Sequence, residues 1–168
     1  MKREATGKGI SLSELEDQIA LVMESIQRRP ADGGRILKAF FSNIFVAAKE
    51  TLKKQGRLAP LYMIVAEVAD FGVPPLTEEV IARAKESKAQ AIITIEGFHS
   101  DHDISDVIYH VSMSTPHLGV MGWVLKVRIG NGILEFVREW PYFFETKEKL
   151  KTLGEILVEM EGLDLGSG

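Results

Sequence analysis

The chain has 168 residues, of which 45% are hydrophobic and 26% are charged, and this composition is typical of one soluble globular domain. Its net charge of −4 gives no general attraction to nucleic acid, and no apolar run approaches the roughly 20 residues needed to span a membrane. There is no cysteine, which excludes disulfides and thiolate chemistry. We therefore expect a cytoplasmic protein without nucleic-acid or membrane partners.

The N-terminal part of the chain predicts a flexible arm followed by two helices. Residues 1–9 are polar and contain glycine, whereas Ser11 and Glu14 form a capping box at the start of a helix. Apolar residues then recur at spacings of three and four as far as Ile26, which indicates an amphipathic helix. A second helix is predicted over about residues 35–55, with Gly56 as its stop. In its first half this helix is apolar on nearly its whole circumference. It is therefore either buried on several sides or in contact with another subunit.

A strand–helix–strand pattern comes next. Residues 61–68 predict a strand, Thr77 is a good N-cap for a helix, and residues 91–96 predict a second strand. This order predicts a βαβ unit with two parallel strands and a right-handed crossover. Glu67 and Glu96 would then lie near the same edge of the sheet, either close together or on opposite faces.

Beyond residue 100 the pattern changes to three strands joined by short loops, which predicts an antiparallel meander over residues 107–114, 120–129 and 133–140. Asn131 and Gly132 favour a two-residue hairpin turn, because both residues accept positive φ. The hairpin aligns four pairs of side chains: Ile129 with Leu134, Arg128 with Glu135, Val127 with Phe136, and Trp123 with Trp140.

Residues 148–161 predict a final amphipathic helix. The predicted fold class is α+β: a mixed sheet of about five strands, with one βαβ unit and then the meander. Two N-terminal helices and the C-terminal helix pack on this sheet. The predicted domain covers residues 10–164, between the arm and a flexible tail at residues 165–168.

All four histidines fall in one stretch together with several aspartates. His99, Asp101, His102 and Asp103 offer nitrogen and oxygen ligands that suit zinc, manganese or iron. This divalent metal is the one cofactor that the residues indicate. The spacing completes no recognised metal-binding motif, and the alternative is a polar turn in which aspartate and serine favour the bend.

A second candidate site lies on the strands beside this loop. Aligning His99 with Val107 in a hairpin places Glu96 directly opposite His110. A carboxyl group opposite an imidazole can orient and charge it, which is the first requirement of a general acid–base pair. The alternative is a cross-strand polar pair that only stabilises the sheet.

These patterns support two functional hypotheses. The first is a non-catalytic binding or interaction module that self-associates, with a protein or small molecule of unknown identity as its partner. Apolar residues on the more polar sheet face, such as Val120 and Val124, favour such a homo-oligomer. The second is a metal-assisted hydrolase or lyase that uses the histidine–aspartate cluster at residues 99–110, with Glu96 and His110 as acid–base partners.

Overall fold

A computed structural model describes residues 11–99, 106–115, 119–130 and 133–144. Of Phe98, His99, Trp140 and residues 142–144 only the backbone is described. The predicted arm, tail and C-terminal helix, and the Asn131-Gly132 turn, lie outside the described residues. None of the helices in these parts of the chain has the length and hydrophobicity of a membrane span.

Two long helices come first in the chain. α1 spans Leu12–Arg28, and Ser11 caps it by accepting a hydrogen bond from the backbone N–H of Glu14 at 3.3 Å. A short 3₁₀ turn leads into α2, Gly33–Gln55, which ends at Gly56. Gly56 has φ of 76°, a left-handed conformation that glycine adopts without strain, so this helix stop is the one predicted from the sequence.

Six strands form one sheet, and a third helix lies between the second and third strands. The strands are β1 (Leu61–Val65), β2 (Asp70–Gly72), β3 (Ala91–His99), β4 (Asp106–Thr115), β5 (Gly119–Gly130) and β6 (Ile133–Phe144), and the helix is α3 (Glu78–Glu86). Their order in the sheet is β2-β1-β3-β4-β5-β6, and every neighbouring pair is antiparallel. The α+β class is confirmed, whereas the sheet is antiparallel and has six strands instead of about five.

The predicted βαβ unit with parallel neighbours is wrong. The chain leaves β1 at Val65, bends at residues 66–68 and returns as β2 beside β1. The helix α3 therefore connects β2 to β3, and β1 lies between these two strands. Because β1 and β3 are antiparallel, Glu67 and Glu96 lie at opposite ends of the sheet, and Glu67 is exposed.

The antiparallel arrangement of β4, β5 and β6 agrees with the predicted meander, including most of the hairpin register. Ile129 pairs with Leu134 and Arg128 pairs with Glu135, as predicted. The predicted pairing of Trp123 with Trp140 is wrong, because Trp123 lies opposite Pro141. A β-bulge causes this shift: adjacent residues of β5 pair with Phe136 and Arg138, so Val137 is an extra residue in β6.

The two faces of the sheet are covered by different helices. On the first face α1 and α2 form the larger apolar core with β1, β3, β4 and β5, and the Phe45 ring stacks on Trp123 with ring centroids 4.2 Å apart. Most large apolar side chains of α2 are thereby buried within the chain, whereas Ile36 is partly buried and Val46 is exposed. On the second face α3 packs over Tyr62, Ile64 and Ile92.

A close contact between β3 and β4 depends on glycine. The buried ring of Tyr109 lies over Gly97, its partner in the ladder, and its hydroxyl accepts a hydrogen bond from the backbone N–H of Leu58 at 3.4 Å. A Cβ atom at residue 97 would lie only 2.8 Å from Cε1 of Tyr109. The ring therefore occupies the space that any other residue at this position would need.

We expect Gly97→Ala to lower the free energy of unfolding by about 1–3 kcal/mol, because the Tyr109 ring cannot move without disturbing the core. Gly130→Ala is the matched control, since a Cβ atom there meets nothing within 4 Å, and its effect should stay within about 0.5 kcal/mol. Urea unfolding of both variants measures the difference. Equal stability of the two variants would contradict the packing described.

Candidate functional site

Polar side chains form a line on the second face of the sheet, beside the part covered by α3. We call Thr94, Glu96, His110, Ser112 and Ser114 the polar row. The ladder between β3 and β4 sets Thr94 opposite Ser112 and Glu96 opposite His110. The pairing of Glu96 with His110 is the one predicted from the sequence, whereas its catalytic role stays a prediction.

Strand alternation explains why these residues share a face. Apolar residues of β3 and β4, such as Ile95 and Val111, point to the first face and join the main core. The residues between them point to the second face, where most of the polar row is buried. Thr94 and Ser112 are each 3% exposed and His110 is 1% exposed, whereas Glu96 is only partly buried. Glu96 is therefore the member of the row that solvent and ligands reach most easily.

Glu96 has an unusual environment for a carboxyl group. Its Oε1 atom is buried, and among the described residues no hydrogen-bond donor lies within reach of that atom. Burial disfavours the charged form and raises the pKa of Glu96 from 4.5 to about 7. At neutral pH this side chain therefore exists in both protonation states.

His110 responds to the same environment in the opposite direction. Burial disfavours the imidazolium and lowers the pKa of His110 from 6.5 to about 4. The side chain is neutral at pH 7 and can both donate and accept a hydrogen bond. The expectation from the sequence that the Glu96 carboxylate charges its imidazole partner stays a prediction.

A charged cluster lies at the end of β4, on the same face. Asp106 is buried, and Arg128 on β5 contacts both of its oxygens, with Nε 2.7 Å from Oδ1 and a terminal nitrogen 3.2 Å from Oδ2. Lys126 lies 3.5 Å from Oδ2. The hydrogen bond and charge of Arg128, helped by Lys126, hold the pKa of Asp106 below its usual range. Asp106 therefore stays ionised, whereas burial favours the neutral forms of Glu96 and His110.

Sequence reasoning missed this cluster, because it paired Arg128 only with Glu135. The structure sets Arg128 between Asp106 on β4 and Glu135 on β6. Given the register between β4 and β5, strand alternation would predict the contact of Asp106 with Arg128. The sequence does not give that register, because residues 116–118 contain no recognised turn motif.

The predicted metal ligands are only partly within the described residues. Asp101, His102 and Asp103 lie outside them, and the backbone of His99 pairs with Val107 at the end of β3. The described part of the chain holds no group of three or more histidine, aspartate or glutamate side chains that could bind a metal ion. The four-residue metal site stays a prediction.

Two cavities lie away from the polar row. A groove of about 340 Å³ runs between α1 and α2 and is lined by residues such as Gln18, Asn43 and Lys54. A shallow depression of about 520 Å³ lies beside β2 and α3, where Arg83 is 3.2 Å from Asp70.

No family model, no curated protein and no solved structure matches the chain.

The pKa of Glu96 predicts a pH-dependent stability. Between pH 4.5 and 7 the folded chain keeps a proton that the unfolded chain releases, so Glu96 lowers stability as pH rises through this window. His110 acts oppositely, because between pH 6.5 and 4 the unfolded chain binds a proton that the folded chain does not bind.

We therefore expect Glu96→Gln to raise stability more at pH 8 than at pH 4. The complete pKa shift corresponds to about 3 kcal/mol, and solvent screening of this partly exposed group reduces the expected difference to about 1–2 kcal/mol. Urea unfolding from pH 4 to 8 measures it. Glu50→Gln, the same change on the exposed side of α2, should show no such trend. Parallel stability curves for wild type and Glu96→Gln would contradict the buried state of this carboxyl group.

Proposed function

We propose that the chain is a non-catalytic binding module, that the polar row is its site, and that its ligand donates a hydrogen bond to Glu96. The observation that carries this proposal is the buried Oε1 atom of Glu96, which no donor among the described residues satisfies although the side chain is partly exposed. A buried acceptor without a partner costs about 1–3 kcal/mol. A ligand that supplies an N–H or O–H group at this point recovers that free energy.

The rest of the polar row defines the chemistry of the ligand. Thr94, Ser112 and His110 are almost completely buried, so they surround Glu96 with uncharged groups and do not contact the ligand themselves. Asp106 is ionised but matched by Arg128 and Lys126. The site therefore favours a small uncharged molecule with amide or hydroxyl groups over a strongly charged one.

Binding at Glu96 is linked to its protonation. An N–H or O–H group that donates to the carboxylate stabilises the charged form and so lowers the pKa of Glu96. Because that pKa is about 7 without ligand, affinity for such a ligand increases between pH 6 and 8. A ligand that accepts a hydrogen bond from protonated Glu96 shows the opposite trend.

A thermal-shift screen with small amides and alcohols tests the proposed site. A ligand at 100 times its dissociation constant stabilises the fold by about 2.7 kcal/mol, which raises the melting temperature by about 5–10 °C for a chain of this length. We expect Glu96→Ala to abolish the shift, and Glu50→Ala, on the opposite side of the molecule, to retain it. A ligand that stabilises Glu96→Ala as strongly as wild type binds elsewhere and contradicts the proposal.

The second candidate function is the metal-assisted hydrolase or lyase. One observation favours it: a carboxyl group with a pKa of about 7 is suited to general acid–base catalysis at neutral pH. This function also requires a metal ion held by His99, Asp101, His102 and Asp103. In the reaction at that metal, Glu96 would act as the general acid or base.

Elemental analysis separates the two functions. The enzyme hypothesis predicts one equivalent of a divalent metal in purified protein, lost in the His99→Ala/His102→Ala double variant, with a drop in melting temperature on chelation. The binding module predicts background metal and a melting temperature that a chelator leaves unchanged. Stoichiometric metal in wild type that is absent from the double variant would favour the enzyme.

A further inference from the structure

The outer edge of β6 has the features of a surface for strand pairing. β6 is the last strand of the sheet, and within the described residues no strand pairs with its outer edge. It is 12 residues long, whereas exposed edge strands are usually short. Over residues 133–139, which we call the β6 edge, most side chains are exposed: Ile133, Glu135, Val137, Arg138 and Glu139.

We propose that a second copy of this chain pairs with the β6 edge, antiparallel and about a two-fold axis between Phe136 and Val137. Glu135 of each copy then lies opposite Arg138 of the other copy. The two sheets join into one continuous sheet of twelve described strands. This inference is independent of the proposed ligand at Glu96.

The β-bulge makes this register geometrically consistent. In a regular strand, residues three apart point to opposite faces. Here Glu135 pairs with Arg128 and Arg138 pairs with Lys126, and these two partners are two residues apart in β5. Glu135 and Arg138 therefore share a face and orient their backbone groups in the same direction, which directly opposed residues of a ladder require.

Charge selects this register from its neighbours. An axis through Glu135 would set two glutamates directly opposite each other, which destabilises a strand pair. An axis one residue towards the C-terminus would leave Glu135 and Arg138 opposite uncharged residues. The proposed register matches opposite charges twice, because the two-fold axis repeats each contact. It also sets Val137, which is 38% exposed, against Phe136 of the other copy.

The same argument favours a second copy over an unrelated strand. A two-fold interface must be complementary to itself, and the β6 edge has a negative and a positive side chain placed symmetrically about one point. An unrelated partner would not require that symmetry. Strand pairing of two long edges also supplies backbone hydrogen bonds along the interface.

Analytical ultracentrifugation tests the proposal with charge-reversed variants. Wild type should sediment as a dimer of about 37 kDa, twice the 18.7 kDa of one chain. Arg138→Glu should raise the dimer dissociation constant about tenfold or more, since it sets like charges opposite each other twice. Glu135→Arg/Arg138→Glu should restore dimerisation, and Glu50→Arg on α2 should leave it unchanged. A wild-type monomer at 100 µM, or a double variant as weak as Arg138→Glu, would overturn the proposal.

Disulfide trapping tests the register, and the chain contains no cysteine of its own to interfere. Opposed residues of antiparallel strands have Cα atoms about 4.5–5.5 Å apart, which suits a disulfide. A mixture of Glu135→Cys and Arg138→Cys proteins should form a cross-linked dimer on mild oxidation. Glu135→Cys mixed with Glu139→Cys should not, because Glu139 points to the face where it contacts Lys49. Equal cross-linking in both mixtures would contradict the register.

Loss of dimerisation and loss of the proposed ligand are distinguishable results. Arg138→Glu should leave the thermal shift of a ligand at the polar row unchanged, because Glu96 lies on β3 and β6 is three strands away. Glu96→Ala should in turn leave the sedimentation of the dimer unchanged.

Discussion

Burial of α2 against the first face of the sheet is the constraint on which the rest of the structure depends. Phe41 and Phe45 of this helix contact Trp123, and Phe41, Ile44, Ala48 and Leu52 are almost completely buried. Because this interface takes the apolar side chains of β3, β4 and β5, strand alternation sends the remaining side chains to the second face. The position of the polar row is therefore a consequence of how the core is packed. A shift of one residue in any of these strands would exchange the two sets.

Burying a charged group on the second face costs free energy, and this cost is reduced in two different ways. Asp106 keeps its charge because Arg128 and Lys126 compensate for the lost hydration. For Glu96 and His110, burial is the cause of the pKa shift, and it favours the neutral form of each. Asp106 is therefore suited to hold the strands together, whereas Glu96 responds to pH and to whatever donates to it. The two roles lie on the same face, separated along β3 and β4.

Local sequence signals predicted some of this structure and failed where distant contacts decide. The cap at Ser11, the stop at Gly56 and the hairpin register near Ile129 depend on neighbouring residues, and they were predicted correctly. The reversal after Val65 was missed because Ala66 and Val68 continue an apolar run that favours a strand. Alternation located Glu96 opposite His110, but the shifted pKa values depend on burial, which no local pattern measures. The bulge at Val137 was not predicted either, because the register was extended without interruption from the Asn131-Gly132 turn.

The bulge links the edge of the sheet to the polar row. A bulge usually weakens an edge as a template for pairing, yet here it brings Glu135 and Arg138 onto the same face. Since both residues point to the second face, the two-fold axis of the proposed dimer is perpendicular to the sheet, and both polar rows lie on the same surface. Seven strand spacings separate one β3 from the other, which is a distance of about 34 Å. At this distance each polar row can bind its own small ligand. A partner with two donor groups on a linker of about that length would bind both rows of the dimer at once. Such a partner would bind the dimer more tightly than it binds a monomer, which offers only one row.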